Sequence, residues 1–219
     1  MTSETKKDEG SPQELFFRIS GTGEGHWETE RPQPAIIKLV EQGIFHGATL
    51  DIGCGIGDNA IYIVTHTNNV NMTAIDLVPK AIEVAREKAE KMNVNIQFEV
   101  IDMLSDLSTT NLKQNSYDII LDAAVFHIFS NDDRQRYIKN LEYLIKPNGL
   151  YIQYCFSEKE IREGGPRRIK KSDLEELFSS KTGWTIESIE DTIYESTRAG
   201  PLGLDGRAYL SLTRRNKNI

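Results

Sequence analysis

Three glycines at alternate positions, Gly53, Gly55 and Gly57, follow Asp51 in the run Leu50-Asp-Ile-Gly-Cys-Gly-Ile-Gly-Asp-Asn-Ala60. Without a Cβ at those positions the main chain can approach a ligand closely. Asp76 stands 19 residues beyond Gly57, at the end of the next apolar run. That is the offset at which a carboxylate accepts hydrogen bonds from both hydroxyls of a ribose. Two ligands compete for such a site, a dinucleotide and a nucleoside without phosphates. The dinucleotide pattern wants glycine at position 58, where this chain has Asp58. A carboxylate there would repel a pyrophosphate at a helix N-terminus, whereas a cationic sulfonium would welcome both Asp51 and Asp58. S-adenosylmethionine is therefore favoured over NAD, with Asp51 facing its amino group or a water around it. Cys54, between the glycines, reads as a small filler in the turn.

A second group of residues could handle an acceptor. His127 follows a predicted strand by a few residues and could remove a proton or orient a nucleophile. Trp27, Phe126 and Phe129 could wall a pocket for a soft nucleophile or a flat ring. Arg167 and Arg168, with Lys170 and Lys171, either draw an anionic acceptor or form a solvated stretch before a helix.

The elements that must position these residues alternate. Strands are predicted at 48–52, 71–76, 96–101, 117–121 and 150–156, with helices between them and Lys146-Pro-Asn-Gly149 as a turn. Pro79 opens one helix and Ser130 caps another. Ser172-Asp-Leu-Glu175 reads as a capping box. Two last strands, 184–189 and 208–213, lack room for a crossover helix between them, so an antiparallel hairpin is expected. The fold class is thus α/β, a doubly wound, Rossmann-like sheet of seven strands, mostly parallel, closed by that hairpin. Its ligands belong outside the carboxyl ends of the strands.

Composition narrows the partners. The chain has 219 residues, one domain with additions at about 150 residues per domain. A net charge of −7 argues against an electrostatic hold on nucleic acid or an anionic membrane. Cys54 and Cys155 form no CxxC pair, and the four histidines share no ligand spacing, so no metal is expected. Residues 1–12 read as a disordered tail and 13–219 as the working domain, with 13–31 as a lid segment. The first residues lack the apolar stretch of a signal peptide, so a cytoplasmic location is expected.

The combination Asp51-x-Gly53-x-Gly55-x-Gly57, Asp76, Asp102-Met103 and Asp122 resembles the class I S-adenosylmethionine-dependent methyltransferases over about residues 27–213. The resemblance implies that Gly53 and Gly55 pack on the methionine part, Asp76 with Leu77 holds the ribose, and Asp102 with Met103 lies beside the adenine. It also carries Cys54, Asp58, Asn59, Asp122 and Trp27 into the cofactor site. A narrower resemblance, to small-molecule methyltransferases acting on thiols, thiopurines and halides, rests on Trp27-Glu-Thr-Glu-Arg31, Phe126-His127-Ile-Phe129 and Gly165-Pro-Arg167-Arg168. Arg31 and Arg167 are expected in the acceptor pocket, and His127, from its place after the fourth strand, is the expected catalytic residue. Glu30 stands where that group has a glycine. The Asn/Asp-Pro-Pro-aromatic tetrapeptide of base-methylating enzymes is missing, since Asp122 is followed by Ala-Ala-Val.

The expected activity is transfer of a methyl group to a small acceptor, a thiol first, leaving S-adenosylhomocysteine. The rivals are nitrogen or oxygen methylation of a heteroaromatic or phenolic metabolite, a nucleotide-dependent oxidoreductase, and a cofactor-binding sensor. No added dimerisation arm is visible, so a monomer is expected.

Overall fold

Apolar runs between turn residues supply the strands of this protein, and stripes of helical period supply their covers. The computed structural model describes residues 10–197 and 205–217. Helix α1 (Gln13–Ile19) precedes α2 (Pro34–Glu41), and the strands are β1 (Gly47–Ile52), β2 (Val70–Asp76), β3 (Gln97–Val100), β4 (Tyr117–Ala123), β5 (Ile145–Phe156), β6 (Trp184–Tyr194) and β7 (Gly206–Arg215). They form one sheet in the order β3-β2-β1-β4-β5-β7-β6. The first five strands are parallel, and β7 runs antiparallel to both its neighbours. This is the expected Rossmann-like sheet.

The last two strands refine the expectation of an edge hairpin. β7 inserts between β5 and β6 rather than lying at the rim. Ala208, Tyr209, Leu210 and Ser211 are buried in succession, as a strand covered on both faces requires, while much of β6 is half-exposed or exposed and suits the edge.

Helices α2, α3 (Asp58–Thr65) and α4 (Pro79–Lys91) cover one face through Ile36, Leu39, Ile63 and Ile82. α5 (Asn131–Leu144) and α6 (Lys171–Leu177) cover the other through Tyr137, Leu141, Leu144 and Leu174. Ser130 caps α5 as expected, its hydroxyl accepting the Asp133 amide at 3.1 Å. The capping box at Ser172 does not form. Ile169 bridges to Ser157, which turns the chain earlier, so α6 starts at Lys171 and the box appears instead at Ser179 and Thr182. The Lys146–Gly149 turn is absorbed into β5 as an irregular start. Residues 1–9 lie outside the described residues, but Gly10–Pro12, expected in a disordered tail, are placed: the Ser11 amide donates to the Ile128 carbonyl at 2.7 Å.

The amino end of the sheet is pinned by Asp118 on β4. Its carboxylate accepts from the Ala48 amide of β1 at 2.9 Å and from Lys146 Nζ of β5 at 2.8 Å. It also fills the space where a Cβ on left-handed Gly47 would fall. Burial pushes this carboxyl upward, but Lys146 and the Ala48 amide outweigh it and hold it below the ordinary carboxylate range. A depressed folded value means that the contribution is complete above about pH 4 and is lost as pH falls through the folded value. Asp118→Asn should therefore lower stability at neutral pH and flatten the loss below about pH 4, as read from urea denaturation at a series of pH values.

Candidate active site

Strand order reverses between β1 and β4, so the chain leaves their carboxyl ends in opposite directions and a crevice opens there. The exit of β1 is the glycine turn. Gly53 has φ 62°, and a Cβ on it would lie 2.1 Å from Val125 Cγ2 in the exit of β4, so only glycine lets the two turns meet. Gly55, also left-handed, is open apart from Trp27 Cδ1 at 3.9 Å. A main-chain edge lies exposed beneath an indole there.

The crevice continues into a cavity of 1430 Å³ that runs under the N-terminal segment and along the loop after β5. Ligand pockets commonly span about 300–1,000 Å³, so two ligands fit in this volume. At one end lie Asp76, Leu77, Asp102 and Met103. Asp76 accepts the Gly55 amide at 2.9 Å and the Val78 amide at 2.8 Å, tying the glycine turn to the end of β2. Burial raises its carboxyl, those amides oppose the rise, and Glu28 adds to it. Asp102 accepts the Leu104 amide at 2.8 Å. Each carboxylate keeps acceptor capacity for a ligand. Cys54, Asp58 and Asn59 also line the cavity. The charge of Asp58, which weighed against a pyrophosphate, is paired with Lys88 of α4, so it no longer argues between the two cofactors. Asn59 accepts the Gln33 amide at 3.0 Å.

Asp51 does not reach the wall. It lies one layer below, both carboxylate oxygens buried and without hydrogen-bond partners. Burial, then Asp122 and Asp76, push its carboxyl well above the ordinary value. Burial and the neighbouring Asp76 and Asp122 favour the neutral acid at Asp51, and a cation bound at this end of the cavity would draw it back toward the charged form.

Asp122, expected at the cofactor, is drawn away from the cavity. It is fully buried and accepts from the Tyr137 and Tyr151 hydroxyls, at 2.5 and 3.0 Å, and from the Val125 and Phe126 amides. It clamps the strained exit of β4, where Ala124 has φ 79°. Phe126 is likewise removed from the expected pocket. It is wholly buried against Tyr137 and Phe178, because this clamp turns its ring into the core.

His127 lines the cavity but is placed as a strut rather than as the expected base. Its Nδ1 accepts the Phe156 amide at 2.9 Å, and its ring packs on Phe156. Burial, then Arg134 and Arg168, pull its pKa down to about 3. The imidazole is neutral, and the lone pair of Nδ1 is engaged. Trp27, Arg31, Phe129 and Arg167 do line the cavity. Arg31 pairs with Glu195 at its mouth at 2.8 Å, and Arg167 donates to the Phe129 carbonyl at 3.0 Å.

The N-terminal segment covers the cavity. None of α1 is buried, while Leu15, Phe16 and Ile19 face the space below. Buried Glu28 gathers the glycine-rich loop by accepting the Gly21 and Gly23 amides, at 2.5 and 2.8 Å. Glu30 has φ 56°, the left-handed geometry that explains why glycine suits this position. Sequence reasoning missed Glu28 and the Glu160–Arg162 pair, which loops bring to the site, and Tyr194, which stands at the end of β6. A buried-type acid after a tryptophan was the one available sign.

A family model described as a methyltransferase domain matches residues 49–149. The chain is 30% identical over 166 residues to a 2-heptyl-1-hydroxyquinolin-4(1H)-one methyltransferase of Mycobacteroides abscessus, covering 74% of this chain and 70% of that one. It is 25% identical over 203 residues to a probable thiol methyltransferase of Arabidopsis thaliana, covering 87% and 88%. A solved structure concerned with conversion of a disulfide bond into a thioacetal group during echinomycin biosynthesis superposes with a TM-score of 0.79 at 29% identity, covering 95% and 94%.

The clamp at Asp122 makes a direct test. Asp122→Ala leaves two tyrosine hydroxyls and two amides without their acceptor, a loss of about 3 kcal/mol or more, measurable by urea denaturation.

Proposed function

The chain belongs to the class I S-adenosylmethionine-dependent methyltransferases, and from that premise we propose that it methylates a small molecule that arrives with its own reactive lone pair, a thiolate sulfur first. The observation that carries this reading is the state of His127, neutral with Nδ1 already hydrogen-bonded. S-adenosylmethionine supplies a methyl group activated by a sulfonium, so in-line displacement needs alignment and exclusion of water more than it needs a strong base. A thiol, with a pKa of about 8.5, presents an appreciable thiolate fraction near neutrality without help. The echinomycin-related structure and the thiol methyltransferase likeness support sulfur.

The protein's residues divide the work. Asp76 takes the ribose, Asp102 and Met103 take the adenine edge, and the open edge at Gly55 under Trp27 takes the methionine part. The unpartnered Asp51 carboxyl, held toward its neutral form by burial, would regain its charge against the ligand's positive charges. Phe129, Phe156 and Tyr194 form the apolar wall for the acceptor, and the N-terminal segment excludes water above it. A second reading, methylation of an acidic hydroxyl on a nitrogen heteroaromatic ring, is favoured by the hydroxyquinolone methyltransferase likeness. Such a hydroxyl also ionises without a base.

Purified protein incubated with methyl-labelled S-adenosylmethionine and a panel of thiols, hydroxylated heteroaromatics, phenols and amines should label a thiol product and release S-adenosylhomocysteine. Label only on oxygen or nitrogen would replace sulfur, and binding without turnover would favour a sensor. Across about pH 6 to 9, kcat/KM should rise with the acceptor's own ionisation and show no inflection near the free imidazole value of about 6.5. An inflection there that disappears in His127→Gln would restore the histidine as base. Asp76→Ala should weaken cofactor binding at least about tenfold, by loss of ribose hydrogen bonds and of the tether to Gly55, as measured by calorimetry; an unchanged affinity would remove Asp76 from the ribose.

A further inference from the structure

The far end of the cavity carries the opposite charge from the end at Asp76. The loop from Ser157 to Ile169 closes on itself through the bridge between those two residues and brings Arg162, Arg167 and Arg168 to the wall. Arg162 is held by the side chains of Glu160, Ser196 and Phe156. Its Nε donates to Glu160 at 3.0 Å, its Nη1 to Ser196 Oγ at 3.4 Å, and its guanidinium carbon lies 4.9 Å from the centre of the Phe156 ring. Glu160 is anchored in turn by the amides of Arg162, at 2.7 Å, and of Arg207. Gly206 completes the slot: a Cβ there would fall 1.9 Å from Arg162 Nη2 and 2.7 Å from Phe156 Cε1.

This slot leaves Nη2 buried with no hydrogen-bond partner. A buried guanidinium N–H without an acceptor is costly, and native proteins seldom keep one without reason. The local charge is also unbalanced. Arg168 stands 5.9 Å from the same Phe156 ring and donates to the carbonyls of Arg162, Gly164 and Pro166, so Glu160 is left to face two cations. Burial lowers the Arg168 pKa, Glu160 opposes that shift, and Arg162 adds to it. In a chain of net charge −7, such a focus at one end of a ligand cavity selects for an anion.

We propose that Arg162 is a specificity-determining residue that binds an anionic oxygen group of the methyl acceptor, a carboxylate or an ionised oxygen of that kind, while the rest of the acceptor lies on Phe156. The proposal rests on the methyl-transfer reading and deepens it by naming the acceptor's charge. A guanidinium is suited to this task because it is permanently charged, weakly hydrated and planar, so one edge can stay on Glu160 while another meets the ligand.

The test compares 4-(methylthio)benzoate with its uncharged counterpart 4-(methylthio)benzamide by calorimetry, with and without saturating S-adenosylhomocysteine. The benzoate should bind about tenfold tighter or more, the scale of a charge-assisted hydrogen bond. Arg162→Gln should erase that preference and Arg162→Lys should keep part of it, with S-adenosylhomocysteine affinity unchanged in both. Equal affinities for the pair in the parent protein, or a preference that survives Arg162→Gln, would overturn the proposal. The parent comparison needs no substitution and so stands even if a variant fails to fold. A missing response to S-adenosylhomocysteine would instead strike the methyl-transfer reading, because the benzoate preference is read without it as well.

Discussion

The site depends on one close approach: the exit of β1 must touch the exit of β4. Gly53 permits it by having no side chain where Val125 sits, and Asp122 fixes it by gathering two amides and two tyrosine hydroxyls around one buried carboxylate. Val125, Tyr137 and Tyr151 all pack into one core on the same side of the sheet. Gly53 leaves a main-chain edge open to the cavity, and Asp122 holds Ala124 in a backbone region that alanine seldom occupies. The clamp also sets the direction of the turn that follows, which sends Phe126 into the core and His127 toward Phe156.

Much of this was legible in the sequence where local pattern and tertiary need agree. Glycine at 53, 55 and 57 with an acid at 76 marks a turn and its tether, and alternating strands and helices define the sheet. What escaped depends on contacts between distant segments. Asp122 has the residue type of a ligand-binding acid, and only Tyr137 on α5 and Tyr151 on β5 show that it serves the fold. His127 has the type and position of a base until the Phe156 amide, 29 residues away, takes its Nδ1. Arg162 gave no sign, since its surroundings come from Ser196, Gly206 and the ring of Phe156.

The cavity is electrostatically two-ended. The acidic groups of Asp51, Asp76 and Glu28 gather at one end, with Asp51 held toward its neutral form, and the guanidiniums of Arg162 and Arg168 at the other. A methyl donor that starts as a cation and an acceptor that carries an anionic group would each lie toward the end that stabilises it. Displacement removes the sulfonium charge, so the acidic end holds the spent donor less tightly afterwards.

The N-terminal segment gives the two ends a means of sensing each other. α1 contributes no buried residue, and the segment is fastened on both sides of the cavity, by Ser11 to Ile128 and by His26 to Thr197. Its apolar residues are therefore complete only when something fills the space beneath them. A ligand that packs beneath this cover would hold it more firmly for a second one. Such a coupling of donor and acceptor would be reciprocal by thermodynamic necessity and independent of any contact between the two molecules.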